Sequence, residues 1–187
     1  MLTYVLQRLS QQQQMHDQKI QETVRALFTA RKKQRPINEL TAQRTLLLSR
    51  MRVSALKKEQ QRLTALSLVR HPPPPVSKDV LGAMDISDIT VHLNKNIRPP
   101  IDGMPCSYAF IVVLKCGVEV EASAPVTVPL GVRPSIRFLH FPEHLRFSNL
   151  PVDFSITLEI HAMRLREEKD EGCATTIANK AKNLFVP

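Results

Sequence analysis

Apolar residues in the first seventy positions recur at steps of three and four, which is the spacing of a helix with one apolar side. In the first half of this stretch they are Leu2, Leu6, Leu9, Ile20, Val24, Leu27 and Phe28. In the second half they are Leu40, Leu47, Met51, Ala55, Leu56, Leu63 and Leu66. The pattern predicts two long helices, over about residues 2–33 and 38–69.

Helix-breaking residues are almost absent from the same stretch. No glycine occurs before Gly82, and Pro36 is the only proline before Pro72. Proline costs a helix interior about 3 kcal/mol but is tolerated in the first turn. We therefore expect Pro36 to mark a turn and the entry to the second helix, with Asn38 as its N-cap. Residues 1–71 are predicted to form an antiparallel helical hairpin, a coiled coil of two helices.

The next segment is rich in proline. Pro72 to Pro75 form a stiff spacer of polyproline II type. We expect a linker over residues 72–83 that holds the hairpin apart from the unit that follows.

Beyond Gly82 the apolar period falls from 3.6 to 2, the spacing of a half-buried strand. Residues 88–93 and 154–161 alternate clearly, and residues 118–121 and 135–141 add two further strands. The run CSYAFIVVLK at 106–115 is apolar on both faces, as a central strand covered on each side would be.

Strands without intervening helices predict an antiparallel β-sandwich over residues 84–166, followed by a charged loop over residues 167–187. The whole chain is therefore predicted to be an α+β protein of two units. Only five or six strands are evident from the pattern, whereas about seven or eight are usual for a sandwich.

The net charge of +9 is concentrated in the hairpin, because residues 1–82 hold 15 Lys and Arg against 5 Asp and Glu, giving +10. Such a field favours acidic partners, whether nucleic acid, anionic lipid or an acidic protein face, without choosing among them. No run approaches the roughly 18 apolar residues of a membrane span, and the first residues lack a signal-peptide pattern. We expect an intracellular protein whose three cysteines, Cys106, Cys116 and Cys173, form no disulfide.

The sequence contains no motif for catalysis or for a cofactor. Phosphate-binding G-x-x-x-x-G-K and nucleophile-turn G-x-S-x-G patterns are absent. His140 and His144 have the spacing of a helical metal pair, but Pro142 between them argues against a zinc site. Asp102 and Asp153 are too few for a calcium cage of six to eight oxygens. We expect a non-enzymatic protein with no cofactor and a calcium-independent sandwich.

Three segments carry a resemblance to a known family: AQRTLLLSRMRVSALKKEQQRL (42–63), MDISDITVHLNK (84–95) and SYAFIVVLKCGVEVEAS (107–123). Their order and spacing resemble the C-terminal homology region of anillins. The resemblance implies a Rho GTPase-binding hairpin and a C2-type sandwich, which in that family a pleckstrin-homology domain normally follows. It also implies a cytokinesis scaffold at the cell cortex or cleavage furrow, which ties active Rho and phosphoinositide membrane to septins and the contractile ring.

The resemblance places a GTPase contact on the facing parts of the two helices near the turn. In this chain the matching residues are Val24, Ala26, Leu27, Thr41, Arg44 and Leu48. Ala26 falls at a position where a small side chain lets another backbone approach, although alanine is also simply a good helix former. Thr41 stands where the family has an acidic residue, so a carboxylate-to-base pair with the GTPase is missing at that position.

Lipid contacts are expected in the loop between the first strands. Lys95 and Arg98 lie next to Ile97 and Ile101, so the cations can meet anionic headgroups while the apolar residues enter the interface. The alternative is that two loop cations serve only solubility.

Two other functions compete with the scaffold. The basic hairpin could bind nucleic acid, although Tyr4 and Phe28 are its only aromatic residues and provide no stacking platform for single strands. Alternatively, the helices could pair between chains and form a purely structural coiled-coil dimer.

Overall fold

The structure is a computed structural model that describes residues 2–69, 81–93, 106–130, 138–151 and 153–165. Within these ranges two helices precede eight strands and every strand pair is antiparallel, so the predicted α+β class is confirmed. A C2-like arrangement of the strands stays a prediction. The elements are α1 (Leu2–Lys32), α2 (Pro36–Val69), β1 (Gly82–Ile86), β2 (Ile89–His92), β3 (Cys106–Cys116), β4 (Glu119–Ala122), β5 (Val126–Leu130), β6 (Phe138–Phe141), β7 (Leu145–Leu150) and β8 (Thr157–Leu165).

The hairpin turns where Pro36 predicts it, because Pro36 is the first residue of α2. Gln34 adopts a left-handed φ of 49°. The Arg35 N–H donates to the Ala30 carbonyl at 3.0 Å and the Gln34 N–H to the Arg31 carbonyl at 3.3 Å, which is a Schellman ending for α1. The expected N-cap at Asn38 is wrong: the Arg35 carbonyl already accepts from the Glu39 N–H at 2.9 Å, so the helix starts earlier.

The two helices pack against each other along one seam within the chain. Buried and half-buried positions alternate at steps of four and three, the spacing of a coiled coil. In α1 they include Leu2, Leu6, Leu9, Gln13, His16, Ile20, Thr23, Leu27 and Ala30; in α2 they include Glu39, Ala42, Leu46, Ser49, Val53, Leu56, Gln60, Leu63 and Ser67. Because Thr23 and Leu27 occupy the seam, the expected seam residues Val24 and Phe28 are rotated outward and are 44% and 71% exposed.

The longest strand, β3, lies at the centre of the β region. It pairs with β8 along one edge and with β5 and β4 in succession along the other. One of its faces packs on residues from the pairs β1–β7 and β2–β6, forming a core of Phe110, Val112, Leu114, Cys116, Val128, Leu139, Phe141, Leu145, Phe147 and Leu150.

The other face of this sheet is covered by α2. Leu48 packs with Ile111, Val113 and Met163, while Leu40, Leu47, Met51 and Ala55 lie partly buried around this cluster. The prediction that β3 is covered on both sides is therefore confirmed. The expectation that the hairpin is held apart from the next unit is wrong, because α2 has a second apolar face that needs burial. Residues 72–80 of the expected linker lie outside the described residues, and β1 begins at Gly82.

Two residues with left-handed backbone interrupt the alternation of strand residues. The described part of the segment 84–95, residues 84–93, is divided at Asp88 (φ 54°) between β1 and β2, and Asn149 (φ 57°) lies within β7. Strands β5 and β7 were not among the predicted strands. The predicted tail over 167–187 lies outside the described residues.

Cys116 is a buried free thiol at the end of β3, and burial raises its pKa. Nothing is described of the Cys106 side chain or of Cys173. Neither helix within residues 2–69 combines the length and apolarity that crossing a bilayer requires.

Candidate partner-binding grooves

A groove of about 480 Å³ opens between the helices beside the hairpin turn. We call it the turn groove, and it is lined by Thr23, Ala26, Thr29, Ala30, Lys33, Arg35, Asn38, Thr41, Ala42 and Thr45. It exists because the seam residues nearest the turn are small, notably Thr23, Ala30 and Ala42. Small side chains at a helix contact leave space that another backbone can approach.

The turn groove presents mainly apolar atoms, although several of its lining residues are threonines. Each hydroxyl donates to a carbonyl of its own helix: Thr23 to Lys19 at 2.6 Å and Thr41 to Ile37 at 2.9 Å. Thr29 and Thr45 donate in the same way to Arg25 and Thr41. Since these hydroxyls are already satisfied, the groove offers methyl groups and few free polar atoms to a partner.

The charge at the turn groove is positive. Lys33 and Arg35 lie exposed at the turn. Glu39, the acid two residues before Thr41, has a side chain only 6% exposed and is held by the Arg31 Nε at 2.8 Å and the Gln43 Nε2 at 3.0 Å. Glu39 therefore cannot replace the acid that the family resemblance expects at Thr41.

The structure separates the six predicted GTPase-contact residues into three groups. Ala26 and Thr41 come together in the turn groove. Val24 is exposed and lies outside the groove lining, and Leu27 is half-buried in the seam. Arg44 and Leu48 face the sheet, where Leu48 is 8% exposed. Only the first group is presented to a partner at the groove.

Two arginines of α2 bind the edge of β4, a contact that the sequence analysis did not identify. The Arg44 Nη2 donates to the carbonyls of Ala122 at 3.2 Å and Ser123 at 3.1 Å, and the Arg52 Nη2 donates to the Val120 carbonyl at 3.0 Å. These donors satisfy carbonyls on the edge of β4 away from β3. The available signal was the placement of two arginines eight residues apart among the apolar residues of α2.

A second groove, of about 400 Å³, lies between the middle of the hairpin and β4. We call it the β4 groove, and it is lined by Gln12, Met15, His16, Arg52, Leu56, Val118, Glu119, Val120 and Glu121. Burial lowers the pKa of His16, and the charges of Arg52 and Lys19 lower it further against a smaller opposing effect of Asp17. At neutral pH His16 is therefore mostly uncharged. Val120 packs on the face of β4 that meets α2, so the neighbouring Glu119 and Glu121 side chains lie on the opposite face of this strand.

An ionic cluster lies on the sheet face that packs against α2, near the start of β8. The Lys115 ammonium bonds the Glu159 carboxylate, and His161 Nε2 lies 3.2 Å from the other carboxylate oxygen. The hydrogen bond from Lys115 lowers the pKa of Glu159, with His161 acting in the same direction. These groups satisfy one another, and the cluster has the character of a structural ion pair.

The remaining predicted sites have little described structure. Lys95, Ile97, Arg98, Ile101 and Asp102 lie outside the described residues. His140 lies on β6, with its Nε2 3.9 Å from the Asp88 Oδ1, whereas His144 is exposed just before β7. Within the described ranges, no three His, Cys, Asp or Glu side chains gather as a metal site would require.

Comparison with known proteins gives consistent matches. The family model described as cell division protein anillin matches residues 81–184. Anillin-like protein 2 of Caenorhabditis elegans is 45% identical over 166 residues, covering 87% of this chain and 16% of the relative. Anillin-like protein 3 of the same organism is 43% identical over 164 residues, covering 87% of this chain and 22% of the relative. Anillin of Drosophila melanogaster is 30% identical over 128 residues, which are 68% of this chain and 10% of that protein. The chain thus spans less than a quarter of the length of these relatives.

Proposed function

This chain belongs to the anillin family, and from that premise we propose that it acts as a non-enzymatic scaffold in cytokinesis whose hairpin binds a GTP-loaded Rho-family GTPase. The scaffold would act at the cell cortex or contractile ring, with septins and contractile-ring proteins as further partners. These roles come from the family resemblance, and the GTPase contact has support in the geometry of the hairpin.

The supporting observation is that Ala26 and Thr41, which lie on different helices, line one open groove. The opposite side of α2 is already packed on the sheet, so the groove belongs to a fixed platform. A partner that inserts a backbone segment or small side chains between the helices would bury apolar surface without having to open the hairpin.

The sharpest test is Ala26→Asp, which places a charge in the groove at a solvent-accessible position. A carboxylate buried by the partner without a counter-charge should weaken binding at least about tenfold. We expect GTP-loaded Rho to be retained by the wild-type chain and lost by this variant in pull-down and calorimetry, with helicity unchanged.

Gln21→Asp is the matched control, because it adds the same charge at an exposed position of α1 outside the groove lining. It should bind as the wild type does. Equal retention of GDP-loaded and GTP-loaded Rho by the wild-type chain would remove the effector role.

The second part of the proposal is that Lys95, Ile97 and Arg98 contact a phosphoinositide membrane. Each cation near an anionic surface contributes about 1 kcal/mol, so Lys95→Ala with Arg98→Ala should reduce vesicle binding about thirtyfold. Sedimentation with phosphoinositide-containing and neutral vesicles measures this, with Lys57→Ala and Lys58→Ala as the control pair on the hairpin. Equal sedimentation with both kinds of vesicle would rule out lipid specificity.

A further inference from the structure

Bulky apolar side chains are exposed at the end of the hairpin that holds the turn. Phe28 is 71% exposed and Ile37 is 77% exposed. Phe28 lies four residues, or about 6 Å, before the last residue of α1, and Ile37 is the second residue of α2. Val24, one helical turn before Phe28, is exposed as well. Single exposed apolar residues need no explanation, but several at one end of a rod indicate a surface with a partner.

We call residues 24–38 the hairpin tip, and this segment is strongly basic. It contains five cations and no acid. The cations are all exposed, and they are Arg25, Arg31, Lys32, Lys33 and Arg35. Within the described residues, Arg31 is the only one of the five that takes part in an ion pair, which it forms with Glu39. The other four cations are therefore available to an anionic surface.

We propose that the hairpin tip inserts into the surface of an anionic membrane, with Phe28 and Ile37 entering the interface while Arg25 and Lys32 meet lipid phosphates. Apolar side chains of an interfacial segment enter a bilayer by about 5–10 Å. Phe28, about 6 Å from the end of α1, lies within that depth when the turn faces the membrane. The site is separate from the loop between the first strands, which carries the lipid contact of the proposed function.

The combination of charge and apolar surface favours a bilayer over a nucleic acid. The phosphate backbone of a duplex would pair with the cations alone, and Phe28 and Ile37 would gain nothing from it. An anionic bilayer presents negative headgroups with an apolar layer directly beneath them, so it accommodates both kinds of side chain at once.

The hairpin tip leaves the turn groove accessible to a partner. Val24 and Phe28 are each two residues from Ala26, which is about 200° around α1, and neither of them lines the groove. A membrane at the tip and a protein in the groove can therefore be bound together. Lys33 and Arg35 belong both to the tip and to the groove lining, so the test leaves these two residues unchanged.

The first test measures binding of the whole chain to phosphatidylcholine vesicles with and without phosphatidylserine. Arg25→Gln with Lys32→Gln removes two cations and should weaken binding to the anionic vesicles about thirtyfold. Phe28→Ser with Ile37→Ser keeps every charge and should weaken this binding about tenfold. Because all four side chains are exposed, circular dichroism should show unchanged helicity in both variants.

Matched controls make the same changes away from the tip. Tyr4→Ser with Leu68→Ser alters an aromatic and an aliphatic residue near the other end of the hairpin, where they are 69% and 78% exposed. Lys57→Gln with Lys58→Gln removes two exposed cations from the middle of α2. Both control variants should bind vesicles nearly as the wild type does.

The second test reports insertion directly. The chain has no tryptophan, so Phe28→Trp introduces a single indole fluorophore at the tip. Its emission should shift to shorter wavelength when anionic vesicles are added, whereas the emission of Tyr4→Trp should not shift. At saturating vesicle concentration, the shift should persist when Lys95→Ala and Arg98→Ala are added to Phe28→Trp, so failure of the loop contact would leave the tip contact standing.

Three outcomes would overturn the proposal. The first is that the wild-type chain binds no anionic vesicles, or binds neutral ones equally well. The second is an unshifted Phe28→Trp emission on vesicles that the chain does bind. The third is normal binding by Phe28→Ser with Ile37→Ser while the loss of Arg25 and Lys32 weakens it, since an acidic protein or a nucleic acid would then fit this surface equally well. None of these outcomes affects the GTPase contact, which the Ala26→Asp variant tests separately.

Discussion

At the scale of single residues, the charges near the turn are divided between internal and external roles. Glu39 is turned into the hairpin and bonded by Arg31 and Gln43, whereas Lys33 and Arg35 remain exposed. Glu39, two residues before Thr41, therefore stabilises the turn. It adds no free negative charge to the turn groove, which stays positive. Counting charges along the sequence does not reveal this division. A charged side chain is buried only if its position falls on the side of its helix that faces the other helix.

The Glu39 pair should matter more for stability than an ion pair on the surface. Glu39→Ala removes a nearly buried carboxylate that accepts hydrogen bonds from Arg31 and Gln43, and we expect a loss of about 1 kcal/mol in the free energy of unfolding. Glu59→Ala is the matched control, because its pair with Arg62 lies on the surface of α2 and should cost less than about 0.5 kcal/mol. Urea denaturation measures both values, and equal losses would contradict the internal role of Glu39.

At the scale of elements, the turn holds a residue that is not ideal for its conformation. Gln34 has a φ of 49° at the position after the helix where glycine is usual. Gln34→Gly should therefore stabilise the protein by about 0.5–1 kcal/mol. Lys33→Gly is the control, since Lys33 does not have a positive φ and glycine there should only add flexibility to the unfolded chain. A lower melting temperature for Gln34→Gly would show that this ending of α1 is misassigned.

Local patterns predicted the helices and the turn because glycine and proline are so rare before residue 70, and they predicted β3 because it is apolar on both faces. Strands β5 and β7 were not predicted, and each contains a residue that explains why. Pro129 lies inside β5, and a proline within a run of residues disfavours a strand. Asn149 is a left-handed residue within β7 and breaks the period of two there. In the same way, Asp88 divides a segment that reads as one strand.

At the scale of the whole molecule, the family resemblance in the helix and in β3 is confirmed, yet those same residues did not reveal that the two units pack together. Of the predicted contact residues, Ala26 and Thr41 could be placed on facing helices from the repeat alone. Arg44 and Leu48 could not, because a helix that buries two opposite faces shows no single apolar side. The second face meets residues 60 to 120 positions away, which no local period encodes.

The docking of α2 on the sheet predicts that the hairpin and the β region unfold together. An isolated hairpin of two helices has one seam to stabilise it, and here the contact of Leu48 with Ile111 and Val113 adds a second. Leu48→Asp buries a charge in that contact and should divide one calorimetric transition into two, with the hairpin melting first.

Leu68→Asp is the matched control, because it makes the same change at a position of α2 that is 78% exposed, and it should keep one transition. If Leu48→Asp also melts in one transition at the temperature of the wild type, the contact of Leu48 with the sheet does not contribute to the stability of the protein.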